Sequence, residues 1–335
     1  MQKKAPTLKD IAERAGISLR AVSAVVNEAP STARISEATR ARIVEAMAEL
    51  RYRPDLTARS LRLQKSDSIG FYNGHGYIDL IDPFAPNLFT GMQAAAAQAS
   101  NNLLLFNGLH LQPLEVVLQK LASNKTDGVV IWPTPADADL IAALGRTSKP
   151  VIQLAESYAG APSVSTDDFG AARKLAQHLV ERGHRSILFR RGILPLASET
   201  ARFSAFQSVA DESGVELIAT IPLDRFDNLS EEEAALILGG RARGITAIAC
   251  WHDASAIQVL RYLGEHGLRT PDDFAVTGFD GFHWPELDGI SLTTAYVDWP
   301  RVAGMCVELL IQRIRGIDIP DRSLVDPTLR IGNTT

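Results

Sequence analysis

Apolar residues recur at helical spacing from the start of the chain. In "TLKDIAERAGISLRAVSAVVN" (7–27), Leu8, Ile11, Ala12 and Ala15 fall on one stripe. Thr7 is a good N-cap and Gly16 a good left-handed stop, so the pattern predicts a helix over Leu8–Ala15. Ser18 caps a second, Leu19–Val26, with Val22, Val25 and Val26 inward and Leu19, Arg20, Ser23, Ala24 and Asn27 on the other faces. Ser36 opens a third, with Ile43, Val44, Met47 and Leu50 as its apolar positions. A short turn between the first two helices sets them at a steep angle, with the second open to a DNA major groove. A three-helix scaffold with no partner would show the same stripes. Three β-branched residues in a short exposed helix are poor helix formers, however, which favours a tertiary reason for the second helix.

Next comes "RYRPDLTARSLRLQKS". Pro54 disfavours helix at Arg53 and is tolerated in the first turn of a new one. Asp55–Leu63 reads as a short basic helix, too short to be stable alone in water. After Lys65 the texture changes to apolar runs alternating with helical segments. Strands are predicted at Ser68–Tyr72, Leu103–Asn107, Gly128–Trp132, Val151–Leu154, Ser186–Arg190, Glu216–Ile221, Ala247–Trp251 and Phe274–Phe279. Helical stretches such as "AARKLAQHLVERG" and "HDASAIQVLRYLGEHG" lie between them. The alternation predicts parallel sheets covered by helices. There are too many units for one compact sheet, so two Rossmann-like lobes are expected. A cleft at the carboxyl ends of their strands is the natural place for a small molecule.

Charge sharpens this division. The 335 residues carry a formal net charge of −5, unevenly spread. Residues 1–65 hold 13 Lys/Arg against 7 Asp/Glu, a surplus of +6; the rest hold 21 against 32, a deficit of −11. A basic head on an acidic body suggests a nucleic-acid-binding part joined to a part with another task. Hydrophobic content of 46% and charged content of 22% are ordinary for a soluble globular protein. The apolar runs, such as "DGVVIW", fall far short of a membrane span, and "MQKKAPTLKD" has no apolar core behind its charges, so no signal peptide is expected. Cys250 and Cys306 are the only cysteines and form neither a metal-binding spacing nor a disulfide framework, which fits the cytoplasm.

The segments "TLKDIAERAGIS", "VVN" and "SEATRARIVEAMAELRYRPDLTARSL" resemble the DNA-binding head and hinge of the LacI/GalR family of bacterial transcription regulators. The resemblance implies that Leu19 and Arg20 begin a recognition helix, with Arg20 able to reach a guanine through two donors. It implies that Thr7, Ser18, Ser23 and Asn27 hold phosphates or orient the head. The hinge helix would fold on the operator, with Leu61 wedged into a minor-groove step and Ala58 beside it; packing of Leu61 on its own domain is the alternative. The family often has Thr where Ala21 stands and Arg where Ala24 stands, so a less usual half-site is expected. Asp55 replaces the usual Asn, and nothing explains that substitution.

The resemblance continues through "DPFAPNLFTGMQ", "PSVSTDDFGAARKLAQHLVERGHRSI" and "ITAIACWHDASAIQVLRYLGEHGLRTPDDFAVTGFD" into the family's effector domain, which is like periplasmic sugar-binding proteins. The fold expected is an all-α helix-turn-helix head with a hinge helix, followed by an α/β body of two Rossmann-like lobes. The head spans 1–52, the hinge and linker 53–65 and the body 66–335. Lobe one is placed at about 66–163 plus 295–322, lobe two at about 164–294 plus 323–335. By position, Arg202 matches the family's ligand-binding arginine and Asp280 its ligand-binding aspartate. A five-donor cation opposite a carboxylate suits vicinal hydroxyls; a structural salt bridge is the other reading. Trp299 either stacks on a sugar face or is buried between the lobes. Phe226, Ser198 and Asn73 are further candidates. His252 departs from the family's usual Asn or Ser and points to a different effector. The loop "GHGYID" (74–79) is expected at the cleft mouth; it lacks the third glycine of a dinucleotide-binding turn.

The expected function is a ligand-responsive regulator, most simply a repressor, that binds a near-palindromic operator as a homodimer with a sugar or sugar derivative in the cleft. No cofactor, metal or membrane is expected. The chain ends at "LRIGNTT" with no leucine heptad, which favours a dimer over a tethered tetramer. A solute-binding protein without DNA function would explain the body but not residues 7–63. An enzyme is not expected: no nucleophile elbow, metal-ligand cluster or phosphate loop occurs, and His252 and Asp253 are adjacent, a poor geometry for a proton relay.

Overall fold

A computed structural model describes residues 6–26, 35–53, 65–76, 78, 80–224, 228–284 and 289–335. The expected hinge helix, together with Asn27, Ala58, Leu61 and Phe226, lies outside the described residues. The chain divides into two compact units, Met1–Ser66 and Asp67–Thr335.

The first unit holds α1 (Leu8–Ala15), α2 (Leu19–Val26) and α3 (Glu37–Glu49). Thr7 and Asp10 form a reciprocal capping box at the start of α1, and Gly16 ends it at φ 62°, a conformation that suits glycine. Arg42 of α3 donates to the Ala15 carbonyl at 2.5 Å, satisfying one of the orphan acceptors at that helix end. Ile11, Val22 and Ile43, one from each helix, are fully buried and form the centre of a small core with Ala15, Val25 and Ala46. Val26, Met47 and Leu50 pack at its edge, whereas Val44 is 54% exposed: it falls on the far side of α3 from Ile43 and Ala46.

The second unit begins with β1 (Ser68–Asn73), α4 (Phe84–Gln98), β2 (Asn102–Phe106), α5 (Leu114–Leu121) and β3 (Gly128–Trp132). It continues through α6 (Ala138–Gly145), β4 (Val151–Leu154), β5 (Ser163–Thr166), α7 (Asp168–Glu181), β6 (Ser186–Arg190) and α8 (Ala197–Ser213). There follow β7 (Glu216–Thr220), α9 (Glu231–Leu238), β8 (Ala247–Cys250), α10 (Asp253–Glu265) and β9 (Ala275–Asp280). The last elements are β10 (Thr293–Tyr296), α11 (Trp299–Ile314), β11 (Arg322–Val325) and β12 (Thr328–Arg330). No helix among the described residues is long and apolar enough to cross a membrane.

These strands build two six-stranded sheets, ordered β11-β5-β4-β3-β1-β2 and β12-β10-β9-β8-β6-β7. Every pairing is parallel except β10 with β12. The two sheets are the two lobes. Their central strands, such as β3, β4, β6 and β8, are buried along nearly their whole length, as strands covered on both faces must be. In lobe one α4 lies so close to α11 that a Cβ on Gly91 would overlap the Pro300 carbonyl, and Gly91 also faces Gly304.

The eight predicted strands are present, each within one residue of its expected limits. Four more, β5, β10, β11 and β12, were not expected. They are three or four residues long and read "SVST", "TTAY", "RSLV" and "TLR", without the apolar run that marks a strand. They also move the lobe boundaries. Lobe one, expected to end at 163 and again at 322, instead keeps all of β5 and β11, because both pair in its sheet. Residues 295 and 296, placed in lobe one, belong to β10 in the sheet of lobe two. The chain therefore crosses between lobes just after Thr166, Tyr296 and Val325.

Candidate nucleic-acid interface and ligand cleft

On the head, α2 presents Leu19 (51% exposed) and Arg20 to solvent, while Val22 and Val25 anchor the opposite face. Ser23 and Ala24 are half-buried beside them. The Ser18 hydroxyl accepts from the Ala21 N–H at 3.4 Å, and the Thr7 hydroxyl donates to Asp10 at 2.8 Å. Thr7 and Ser18 thus fix the helix starts, which orients the exposed pair, and each is exposed beside a helix N-terminus where a phosphate is favoured.

In the body, nearly all the expected ligand residues follow the carboxyl ends of strands or begin the helices beside them. Asn73 closes β1, His252 stands just past β8, Asp280 closes β9, and Ser198 and Arg202 lie on α8, which follows β6. Trp299 opens α11 at the crossing from lobe two to lobe one.

Arg202 is nearly buried and has a different partner from the one expected. Its Nε and Nη2 reach one oxygen of Asp168 at 2.8 and 2.7 Å, and Nη1 donates to the Trp251 carbonyl at 2.7 Å. Its guanidinium stacks 3.5 Å from the centre of the Phe279 ring. Asp280, the next residue, sits near enough for Arg202 to favour its charge, but it makes no direct ion pair with it. The carboxylate opposite the cation is Asp168. Its sequence context held the signal: in "DDFG", Asp167 caps α7 by accepting from Gly170, which leaves the second aspartate for another task.

Asp280 is held in an unusual backbone conformation at φ 118°, followed by Gly281 at φ 76°. Such a φ is strained for a non-glycine residue and persists only where neighbours enforce it. Asp253 supplies the enforcement. Its Oδ2 accepts from the Gly281 and Phe282 N–H groups at 2.7 and 2.9 Å, and its Oδ1 accepts from the Thr294 hydroxyl at 2.7 Å. Burial pushes the Asp253 carboxyl up to about 6. Burial also pushes Asp280 up to about 8, with Arg202 opposing the shift and Asp253 adding to it.

Trp299 is 2% exposed and donates its indole N–H to Asp280 at 3.1 Å, a bond from lobe one to lobe two. Its ring meets Phe84 edge-on at 4.6 Å; Phe84 also touches Trp132 at 5.1 Å and Phe282 of the other lobe at 6.4 Å. Burial between the lobes therefore describes Trp299 in this state. His252 is the N-cap of α10: its Nδ1 accepts the Ser255 N–H at 2.9 Å, and its ring lies 3.9 Å from that of Trp251. The neutral ring is thus protonated at Nε2. The Asn or Ser usual at this place in the family would serve the same capping purpose. Asn73 accepts from the His75 N–H at 2.9 Å, and burial lowers His75 to about 4. Ser198 is engaged by Glu156, which the sequence did not single out; it follows the buried run "VIQLA" at the end of β4.

The comparisons with known proteins fall into the same two parts. Residues 7–55 match bacterial regulatory proteins of the lacI family, and residues 176–335 match a periplasmic binding protein-like domain. The HTH-type transcriptional regulator GalR of Escherichia coli is 28% identical over 331 residues, 96% of this chain and 94% of that protein. The HTH-type transcriptional repressor PurR of Photobacterium profundum is 26% identical over 314 residues, 92% of each. The lac repressor dimer solved with operator and the anti-inducer ONPF superimposes with a TM-score of 0.82 at 25% identity, covering 99% of both chains. Head and body are matched in register, and the chain belongs to the lacI family of bacterial regulatory proteins: it is a DNA-binding transcriptional regulator whose body answers a small molecule.

Proposed function

We propose that the protein is a cytoplasmic repressor that binds a near-palindromic operator as a homodimer, and that a sugar or sugar derivative held between the lobes changes its affinity for that operator. The observation that carries the ligand half is a cluster of side chains: Arg202, Asp168, Asp280 and His252 from lobe two and Trp299 from lobe one gather at the carboxyl ends of the strands. Nearby, the buried Trp251 indole N–H and the Ser165 and Thr166 hydroxyls have no hydrogen-bond partner among the described residues. Buried polar groups are rarely left so, and ligand hydroxyls would satisfy them. Aromatic rings among carboxylates and a guanidinium suit a molecule with apolar ring faces and hydroxyl edges. The lac repressor solved with operator is a dimer; two-fold symmetry in this protein would require the same symmetry in its DNA.

In this reading Leu19 and Arg20 read base edges, with Thr7, Ser18, Ser23 and Asn27 on or near phosphates, and Ala58 and Leu61 at the hinge. Phe226 and Asn73 complete the effector site. An effector need supply only about 1–3 kcal/mol of coupling to shift operator affinity several-fold to a hundredfold.

A thermal-shift screen of monosaccharides, disaccharides, sugar acids and nucleobases tests the ligand half, repeated with Asp280→Asn. A carbohydrate should raise the wild-type midpoint and lose most of that effect in the variant; stabilisation by nucleobases alone would overturn the carbohydrate assignment. For the head, an operator is first selected from random DNA. Arg20→Ala is expected to relax base preference at one half-site position and cost about 1–3 kcal/mol. An unchanged selected motif would remove Arg20 from base reading.

A further inference from the structure

Glu156 lies in lobe one, directly after Ala155, whose φ of 68° is left-handed and unusual for a residue with a Cβ. That turn delivers its side chain to the other lobe. One carboxyl oxygen accepts from the Ser198 N–H at 3.1 Å, and the other is 2.5 Å from the Ser198 hydroxyl. The helix it meets, α8, has Leu196 at its N-cap and no side-chain cap of its own. An uncapped helix start leaves orphan N–H groups and a partial positive charge, both of which a carboxyl group answers. Glu156 therefore supplies, from lobe one, the cap that the sequence of α8 lacks. One turn further along the same helix stands Arg202, whose place depends on where α8 starts.

We propose that Glu156 is a positioning residue for effector sensing, a latch that fastens lobe one to the start of α8 when the cleft is closed and takes up one proton as it fastens. The geometry accommodates the neutral acid: its carbonyl oxygen accepts from the Ser198 N–H and its O–H donates to the Ser198 hydroxyl oxygen. The proton comes from solvent and sits between Glu156 and Ser198. The surroundings oppose a second negative charge. Glu156 is 3% exposed, and Asp168 at the start of α7 disfavours its ionisation. Only Arg202, already paired with Asp168, and the two bonds from Ser198 favour it. The Tyr158 hydroxyl, on the same loop as Glu156, is itself pushed up to about 12, first by burial and then by Glu156. Burial dominates, and the Glu156 carboxyl is raised from 4.5 to about 7.

The sign follows. In an open cleft Glu156 is hydrated and ionises in the ordinary carboxylate range. In the closed cleft it holds its proton to about pH 7. Closure is therefore favoured at low pH and weakens as pH rises toward 7, by up to about tenfold per pH unit. Above that value the effect levels off.

The sensing role rests on the effector reading above; the latch does not, and it can be tested on the full chain without ligand. The readout is amide hydrogen exchange in the first turn of α8, corrected for the intrinsic rate, from pH 5.5 to 8. Wild-type protection should fall by about thirtyfold over that range. Glu156→Gln keeps both bonds but cannot titrate, and should stay at the wild-type low-pH level throughout. Glu156→Ala should be unprotected at every pH. A flat wild-type profile, or a Glu156→Gln variant that keeps the wild-type slope, would overturn the latch. The second result would assign the slope to another group, such as Asp280. If Glu156→Gln does not fold, Ser198→Ala decides: the hydroxyl accepts from the neutral acid but donates a stronger, charge-assisted bond to the carboxylate, so losing it should move the midpoint up, and an unmoved midpoint rejects the pairing. A screen that finds no sugar would defeat the effector reading and leave this result standing.

Discussion

Arg202→Ala should abolish the effector response and also weaken the body by about 3–5 kcal/mol. The two losses have different origins. Asp168 is 6% exposed and Arg202 is its ion-pair partner, so truncating the arginine leaves a buried carboxylate without its cation. The Trp251 carbonyl loses its donor, and the face of Phe279 loses the cation stacked on it. Double substitution separates the two effects. Arg202→Met with Asp168→Leu removes both charges while keeping apolar volume, so much of the stability should return. The effector response should not, because the donors that would meet the ligand are gone. Equilibrium denaturation checks the first statement and effector titration of operator binding the second. A doubly substituted protein that still answers the effector would place the ligand elsewhere.

That coupling of a structural pair to a binding role explains what could be read from the sequence and what could not. The head was almost fully legible, because helix starts and stops are encoded locally: Thr7, Gly16, Ser18 and Ser36 all sit at the helix ends their residue types suggest. The central strands were legible because burial on both faces requires continuous apolar runs. The lobe edges were not. Strands such as "SVST" and "TTAY" are defined by the neighbours they pair with, β11 for the first and β9 and β12 for the second, and such non-local pairing leaves no mark in the strand's own residues. The site divides in the same way. Arg202 and Asp280 stood out by position, but the partner of Arg202 was set by three-dimensional proximity, and Asp168 lies 34 positions away on another helix. The imidazole of His252 suggests chemistry toward a ligand, whereas its place immediately before a helix already gives it a capping task. Asp253, too close in sequence to His252 to serve as its relay partner, is instead the clamp that holds the turn after Asp280.

Deep in lobe two, Glu233→Ala is expected to destabilise the body by about 3–5 kcal/mol, although Glu233 touches no expected ligand residue. Arg190, at the end of β6, is fully buried, and its Nε and Nη2 donate to the two Glu233 oxygens at 2.8 and 3.2 Å. Its Nη1 donates to the Ser255 hydroxyl at 2.8 Å, and the Ser255 N–H is the group that His252 caps. Glu233 also accepts from the Thr220 hydroxyl and closes the capping box of α9 with Ser230. Removing it strands a fully buried guanidinium without its anion, and frees the start of α9 as well. The loss at Arg190 falls beside His252, because the Arg190 carbonyl accepts from the Trp251 N–H at 3.0 Å and its guanidinium holds Ser255. The denaturation midpoint should fall at unchanged m-value, since the loss is local and the surface exposed on unfolding is the same. Glu233→Gln, which keeps the oxygen acceptor but not the charge, separates the contributions: it should retain the cap on α9 and still lose much of the stability. Near-wild-type stability in Glu233→Gln would mean that hydrogen bonding, not charge pairing, holds Arg190 in place.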